Sequence, residues 1–485
     1  MALATSPAEK AVRFILDRDI PYFGVIMPFA SPRHALPVAM LILLGTLPSA
    51  EAREGRPYYF GSDLSYVNEM EDCGATYRRD GKPEDVYTLF KSSGANLVRL
   101  RLWNDPKWTS YSNLTDVTKA MKRAKAAGLP VLLDFHYSDD WADGDKQLVP
   151  AAWAHLSTDQ QVEALYKFTY DTLMTLNAQG LMPDQVQVGN ETNGEMMGSV
   201  TWKQGDPIKP VNWERNARLF NAGIRAVKDA GLKAGKTPRI MLHIAQPENV
   251  ESWFLKATRA GIEGYDLIGI SYYKKWSKMD MAGLGAVINR LRHTYPGKDI
   301  VVVETAYPYT DKHMDENVNL MGEDSTFPSY GFSPEGQARY MHDLMQLTLD
   351  NGGAGVVYWE PAWVSTKCKT RWGSGSNWEN ATFFDFTGEA LPALDWPKSD
   401  YVYPVEVTFR VKDEGQSALF VSGDFTGGLA VQMTRKNGWF VYRSWQRPGS
   451  SLLAGVATTP ETLKDAPASE IAVPAKAAVV TLSTN

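Results

Sequence analysis

Residues 185–191 read QVQVGNE: glutamine and valine alternate, then come a glycine, an asparagine and a glutamate. Such a short valine-rich run has the character of a buried strand, and it ends in polar groups where the chain must turn. Seven further runs share the pattern: YYFGSDL (58–64), NLVRLRLW (96–103), PVLLDFHYS (130–138), RIMLHIA (239–245), LIGISYY (267–273), DIVVVET (299–305) and GVVYWEP (355–361). Helix-like stretches separate them. Residues 114–128 stop at Gly128 with Pro130 beyond, and residues 333–349 open on Ser333 and Pro334, a cap followed by proline at the first helical position.

Eight such runs, spaced roughly 30–55 residues apart, predict an α/β chain folded as a (β/α)8 TIM barrel. A doubly wound sheet would carry a glycine-rich phosphate turn after its first strand, and FGSDLSY is not one. The runs end in Asp63, Arg99 and Arg101, Asp134 and His136, Asn190 and Glu191, His243, Tyr272 and Tyr273, Glu304, and Trp359 with Glu360. The carboxyl ends of barrel strands converge on one face, where barrel enzymes do their chemistry. A single charged strand end is ordinarily a structural ion pair, but packing does not account for eight strands that all end this way.

Two carboxylates stand out, Glu191 closing the fourth strand and Glu304 closing the seventh. A retaining glycosidase needs two carboxyls about 5–5.5 Å apart, one as acid/base and one as nucleophile. The acid must hold its proton at working pH, so its surroundings must raise its pKa. Asn190, beside Glu191, is placed to hydrogen-bond a sugar hydroxyl. Other barrel chemistries fit less well. The first strand has no His-x-His pair, the seven histidines are scattered, no nucleophile elbow is present, and no strand carries a lysine for a Schiff base.

These residues resemble glycoside hydrolase family 53, the endo-β-1,4-galactanases of arabinogalactan type I. The motifs that carry the resemblance are GSDLSYVNEMEDCGATYR (61–78), NLVRLRLWNDP (96–106), DFHYSDDWADGDKQ (134–147), QVGNET (187–192), LHIAQPEN (242–249), GISYY (269–273), VVVETAYPYT (301–310), YWEPAW (358–363) and FFDFTGEALPAL (383–394). The resemblance implies a retaining endo-hydrolase of pectic galactan, with Glu191 as acid/base and Glu304 as nucleophile. Arg99 or Arg101, His136, Asn190, His243, Tyr273, Trp359 and Trp363 would line the substrate cleft. Two stretches depart from the family pattern: Lys274 and Lys275 in SYYKKWSK stand in place of Pro and an aromatic, and DDWADGD has an acid before its tryptophan. The same chemistry on mannan, glucan or xylan is the alternative reading, as is an inactive glycan-binding barrel. No cofactor or metal is expected. Some bacterial relatives bind calcium after the seventh strand, where this chain alternates Asp311, His313, Asp315 and Asn317, but a solvated polar loop is the favoured reading.

Composition agrees with an ordinary folded protein, whose many aromatics can fill a core or stack on a sugar ring. The chain has 485 residues, 15 Trp and 22 Tyr, and a net charge of −6, so nothing suggests nucleic acid as a partner. Galactan is the expected partner and a monomer the expected state. Residues 1–52 read as a signal peptide, with Arg33 and His34 before the apolar run 35–47 and small residues at Ala50 and Ala52. The long stretch before Met27 points to Met27 as the start. Secretion or export to the periplasm follows, with no membrane span in the mature form. The catalytic domain is expected over 57–397. Its first and eighth strands are neighbours in a closed barrel, so Cys73 and Cys368, which follow them, are candidates for a disulfide.

Residues 403–485 change texture to short alternating runs and predict a small β-sandwich. VSGDF and NGWFVYRSW resemble the immunoglobulin-like starch-binding modules, without the tryptophan that follows GDF there. A sugar-binding role would use Trp439 or Trp445, while a structural cap on the barrel is the favoured reading.

Overall fold

The computed structural model describes residues 58–483 except 207–209, 372, 464–465 and 467, so the leader expected over 1–52 lies outside the described residues. Among the described residues no helix is long and apolar enough to cross a membrane. Eight parallel strands, β1 (Tyr59–Asp63), β2 (Leu97–Leu102), β3 (Val131–Phe135), β4 (Gln185–Val188), β5 (Arg239–Ala245), β6 (Leu267–Ser271), β7 (Asp299–Glu304) and β8 (Gly355–Tyr358), close into a barrel in which β8 pairs with β1.

Successive strand residues face opposite sides, and this splits the apolar residues into two clusters. Phe60, Val98, Leu133, Val186, Ile240, Ile268, Val302 and Val356 join the helical shell. Tyr59, Leu97, Leu132, Met241, Leu267, Val301 and Val357 fill the barrel interior. Higher on the same inward rows stand Asp63, Arg99, Asp134, Gln187 and His243, so the interior turns from apolar to charged toward the mouth. Gly269 keeps that interior from overfilling: a β-carbon there would lie 2.8 Å from Met241 Sδ and 2.9 Å from Val303 Cγ1.

The outer layer consists of α1 (Val67–Asp72), α2 (Val86–Ser92), α3 (Leu114–Ala126), α4 (Thr158–Asn177), α5 (Trp213–Ala234), α6 (Pro247–Arg259), α7 (Met281–Thr294) and α8 (Pro334–Asp350), with a 3-10 turn, Pro392–Lys398, after β8. Local chemistry sets their ends. Asn113, Asp280 and Ser333 cap the starts of α3, α7 and α8 with side-chain oxygens, and Ser157 and Gln160 form a capping box on α4. Cys73 and Cys368 are disulfide-bonded, with α-carbons 5.6 Å apart, and tie the end of α1 to the loop after β8.

The C-terminal strands are β9 (Val405–Lys412), β10 (Phe420–Gly423), β11 (Val431–Gln432), β12 (Thr434–Lys436), β13 (Trp439–Gln446), β14 (Ser451–Ala457), β15 (Ser469–Ala472) and β16 (Ala478–Thr481). They form two four-stranded sheets, β12-β13-β9-β16 and β11-β10-β14-β15, over a shared core that includes Phe409, Val421, Phe425, Tyr442 and Leu452. The sequence pattern anticipates neither β14 nor β15, because SLLAGVA and SEIA are rich in small residues with weak strand preference.

The sandwich docks on the barrel through buried polar groups. Asn289 of α7 donates to Ser444 Oγ at 2.9 Å and accepts from Tyr442 at 2.8 Å. Arg290 donates to the Thr426 carbonyl at 2.6 Å, and His293 stacks on the Tyr442 ring at 4.2 Å. Trp445 lies against Gly352, where a β-carbon would come within 2.8 Å of the indole.

Candidate active site

β4 ends at Val188, and the chain turns through Gly189 and Asn190 into Glu191, whose φ is +42°. Tyr137, Gln246 and Glu360, just past β3, β5 and β8, have the same left-handed backbone at φ of +48°, +64° and +49°. For non-glycine residues such geometry costs about 1–3 kcal/mol and needs surroundings that enforce it. At Glu191 it turns the side chain over the barrel mouth toward β7, where Glu304 ends its strand. One carboxylate oxygen of each glutamate and one ring nitrogen of His243 lie within 4.8 Å of one another.

Different neighbours hold the two carboxyls. Glu304 Oε1 pairs with Arg99 at 2.8 Å, and Oε2 accepts from the Tyr273 hydroxyl at 3.1 Å. Glu191 Oε1 accepts from Ser271 Oγ at 2.5 Å, and no cation pairs with it among the described residues. Burial pushes the Glu191 carboxyl up to about 8, and the charge of Glu304 adds to the rise. Burial also raises Glu304, but Arg99 opposes it and holds the group lower, at about 7. Arg99 beside Glu304 favours the negative charge there and leaves the proton of the pair with Glu191.

Arg99 organises the floor. Its guanidinium donates to Asp63 at 2.9 Å, Asp134 at 2.8 Å and Asn190 Oδ1 at 2.7 Å, and its Nε to Gln187 at 3.1 Å. Burial alone would raise Asp134, yet Arg99 and His136 beside it keep its carboxyl below the usual range. His136 donates from Nε2 to Asp134 at 3.0 Å and accepts the Ala142 N–H at Nδ1, 3.2 Å away. Asn190 also donates to the Ala142 carbonyl at 2.9 Å. His243 is fully buried between Asn190, Gln187 and Ser271, and burial together with Arg99 keeps it well below its ordinary pKa.

Arg101 has a different place from Arg99. Its guanidinium bonds Glu360 at 3.1 Å and Ser112 at 3.2 Å, and lies 4.1 Å from the Trp141 ring centre, 4.7 Å from Trp103 and 5.0 Å from Tyr66. It supports aromatic rings from below. Trp363 is also covered, stacked on Tyr66 at 3.9 Å. Trp359 is half-buried and belongs to a file of rings around the mouth: Trp276 to Tyr273 at 5.0 Å, Tyr273 to Trp378 at 6.3 Å, Trp378 to Trp359 at 4.6 Å, Trp359 to Trp141 at 6.0 Å, and Trp141 to Trp103 at 5.3 Å. Trp276, 42% exposed, marks one end of the file.

The network thus contains Glu191, Glu304, Arg99, Asn190, His243 and Tyr273, with His136 attached through Asp134. Sequence reasoning missed Ser271, Gln187, Tyr66 and Trp378. The alternation in QVQV, which sends Val186 and Val188 to the helical shell and Gln187 inward, was a usable signal, whereas Ser271 looks like an ordinary residue of LIGIS. Glu191, His243 and Glu304 have the spacing of a metal trio, but both His243 nitrogens are hydrogen-bonded and Arg99 occupies Glu304, which suits proton transfer better. In the 311–317 loop the Asp315 carboxylate is taken up by Ser365 Oγ, the Ser376 N–H and the Asn317 N–H.

Residues 59–396 match Glycosyl hydrolase family 53. The chain belongs to that family. It is 50% identical over 367 residues to the arabinogalactan endo-beta-1,4-galactanase of Cellvibrio japonicus, covering 75% of this chain and 96% of that protein. The endo-beta-1,4-galactanase of Bacillus subtilis is 34% identical, over 69% of this chain and 84% of its own. Among solved structures, the Ignisphaera aggregans GH53 catalytic domain superposes with a TM-score of 0.63 at 31% identity, covering 75% of this chain and all of that one. Both family departures have structural roles here. Lys275 bonds the Leu320 carbonyl at 2.8 Å and Asp324 at 3.0 Å, and Asp140 pairs with Lys146 at 2.8 Å and with Arg371 at 2.5 Å.

Proposed function

We propose that this glycoside hydrolase cuts internal β-1,4 linkages of galactan, as in arabinogalactan type I and pectic galactan, with retention at the anomeric carbon. One observation carries the mechanism: two carboxyls within 4.8 Å, one paired with an arginine and one held away from cations. That separation suits direct attack and leaves no room for the water an inverting enzyme places between sugar and base. Glu304, ionised and aimed by Arg99 and Tyr273, attacks the anomeric carbon as the bond to the leaving O4 breaks. Glu191 gives its proton to that oxygen. A galactosyl ester on Glu304 results, and Glu191, now a carboxylate, takes a proton from the water that cleaves it.

Trp276, exposed, and Trp141 and Trp359, half-buried, are the rings of the file that can present a face to a sugar, which suits binding mid-chain, while Tyr273, Trp378 and Trp103 are buried behind them. The disulfide and the apolar run at 35–47 support an exported enzyme. The C-terminal sandwich acts as a cap on the barrel, because Trp445 is packed against Gly352 and under Arg292, and Arg410 lies 4.1 Å from the Trp439 ring centre. Incubation with potato galactan, mannan, xylan and cellulose tests the assignment. Galactose oligomers from galactan alone are expected. Release from another glycan only would end the galactan reading, and inversion seen by NMR of the first products would end the two-step mechanism.

A further inference from the structure

Burial raises the Glu191 pKa enough to keep its proton, but catalysis also requires that proton on the oxygen facing the substrate. Each carboxyl oxygen can carry it, and a proton on Oε1 would point into the protein. The surroundings of Oε1 decide between them.

Ser271 is the last residue of β6, fully buried, and β5–β6 pairing sets it opposite Ala245, two residues beyond His243. Its hydroxyl lies 2.5 Å from Glu191 Oε1 and 2.8 Å from His243 Nε2. A serine has one proton, so its direction depends on the histidine tautomer. The Glu191 backbone N–H donates to His243 Nδ1 at 3.3 Å, and the Gln187 amide stands 3.1 Å from the same nitrogen. Asn190 Oδ1 also approaches Nδ1, at 2.9 Å, but it already accepts from Arg99 at 2.7 Å and from Gln187 at 3.0 Å. A proton on Nδ1 would leave the Glu191 N–H facing another donor in a buried place, whereas Asn190 Oδ1 is satisfied without it. The tautomer that satisfies all groups has the proton on Nε2. His243 then donates to Ser271 Oγ, and the only serine proton turns to Glu191 Oε1.

We infer that Ser271, locked by His243, is the positioning residue for the catalytic acid: by donating to Oε1 it confines the Glu191 proton to Oε2 and steadies the carboxylate once the proton has left. No bond to the sugar involves Ser271, so the serine acts through Glu191 alone. The inference rests on the assignment of Glu191 as acid/base. The charged or titratable groups facing Glu191 are Glu304 from β7, Arg99 from β2, Asp143 from the loop after β3, His243 from β5 and Tyr273 after β6.

The test compares Ser271→Ala and Ser271→Thr with the wild type on galactan and on two aryl β-1,4-galactobiosides, one with a 2,4-dinitrophenol leaving group and one with 4-methoxyphenol. A good leaving group departs without protonation, so only loss of acid catalysis depends on the leaving group. Ser271→Ala should lower kcat/KM on galactan and on the methoxyphenyl substrate about 10- to 100-fold, within the usual scale of acid–base effects, and change that of the dinitrophenyl substrate little, because kcat/KM reports the step in which the leaving group departs. Its alkaline limb should move to higher pH, because a donor to the ionised carboxyl is gone. Ser271→Thr, which keeps the hydroxyl, should recover most of both effects. Equal losses on both aryl substrates, or an alkaline limb that stays in place, would overturn the inference. If Glu191→Ala itself loses equally on both aryl substrates, the acid/base reading fails first, and that outcome is separate from a failure confined to Ser271.

Discussion

The barrel mouth and the seam between α7 and the sandwich use the same materials to opposite ends. In each, an arginine lies on a tryptophan, 4.1 Å for Arg101 on Trp141 and 4.4 Å for Arg292 on Trp445. Each also has a histidine near hydroxyls, fully buried His243 beside Ser271 and half-buried His293 against Tyr442. At the seam the donors and acceptors match: Asn289 satisfies both Ser444 and Tyr442, and Arg290 meets a carbonyl and Glu251. At the mouth two carboxyls that burial makes reluctant to ionise share one small space, and the backbone at Glu191 is strained. Matched groups hold two domains together, whereas crowded acids store reactivity.

The largest effects should come from removing the mismatch. Glu304→Gln should leave no measurable turnover of galactan while binding persists, and Glu191→Gln should cost about 10²- to 10⁴-fold in kcat. Both variants should also melt higher than the wild type at pH 8–9. A raised carboxyl pKa means the folded state holds the proton more tightly than the unfolded one. Stability therefore declines as pH rises from the ordinary carboxylate range through about 7 and 8, and glutamine removes that loss. Thermal scans against pH check this: the gain should vanish near pH 4. Full activity in either variant would remove that glutamate from the chemistry.

Activity against pH should give a bell whose acid limb reports ionisation of Glu304 and whose alkaline limb reports loss of the Glu191 proton. As the two groups interact, the limbs belong to the pair. Neutralising Arg99 would raise Glu304 and narrow the bell from its acid side. A broad plateau extending well below pH 5 would contradict the crowded-acid description of the mouth.

How much of this the sequence discloses depends on whether a property is local. A polar residue at the end of each apolar run is local, so the eight strands and the pair Glu191 and Glu304 are readable from the chain. Ser271 is not, because its meaning comes from the register that brings β6 beside β5. Nor is the difference between Arg99 and Arg101: they share a strand and a parity, and it is Tyr66 and Trp141 from two other segments, with Trp103 of the same run, that surround the second. The disulfide lies between, since the barrel topology makes Cys73 and Cys368 neighbours without fixing their distance. Replacing both with serine should lower stability by about 2–4 kcal/mol and leave kcat on galactan near wild type.

The seam should respond in the other direction to pH. Burial lowers His293 to about 4, so the unfolded chain binds the proton first, and stability present above about pH 6.5 is lost as pH falls toward 4. His293→Phe keeps a ring on Tyr442 and should flatten that acid loss. Asn289→Ala should cost about 1–3 kcal/mol by leaving the Tyr442 and Ser444 hydroxyls without their partner, with turnover of galactan unchanged. Calorimetry over pH 4–7 separates these effects from those of the mouth, whose acids lose stability in the opposite direction.

The smallest effect should fall on Trp439, which decides whether the sandwich resembles the mouth in function as well as materials. Its indole has Arg410 over one face at 4.1 Å, so that face is taken by a cation and is not open to a sugar ring. Trp439→Ala should cost about 0.5–1 kcal/mol for the lost cation–π contact and leave the KM for galactan as it is. A several-fold rise in KM on the polymer, with short oligomers unaffected, would mean instead that the sandwich grips the chain beyond the cleft. The comparison would then change: the sandwich would offer the substrate a second aromatic surface rather than a cap.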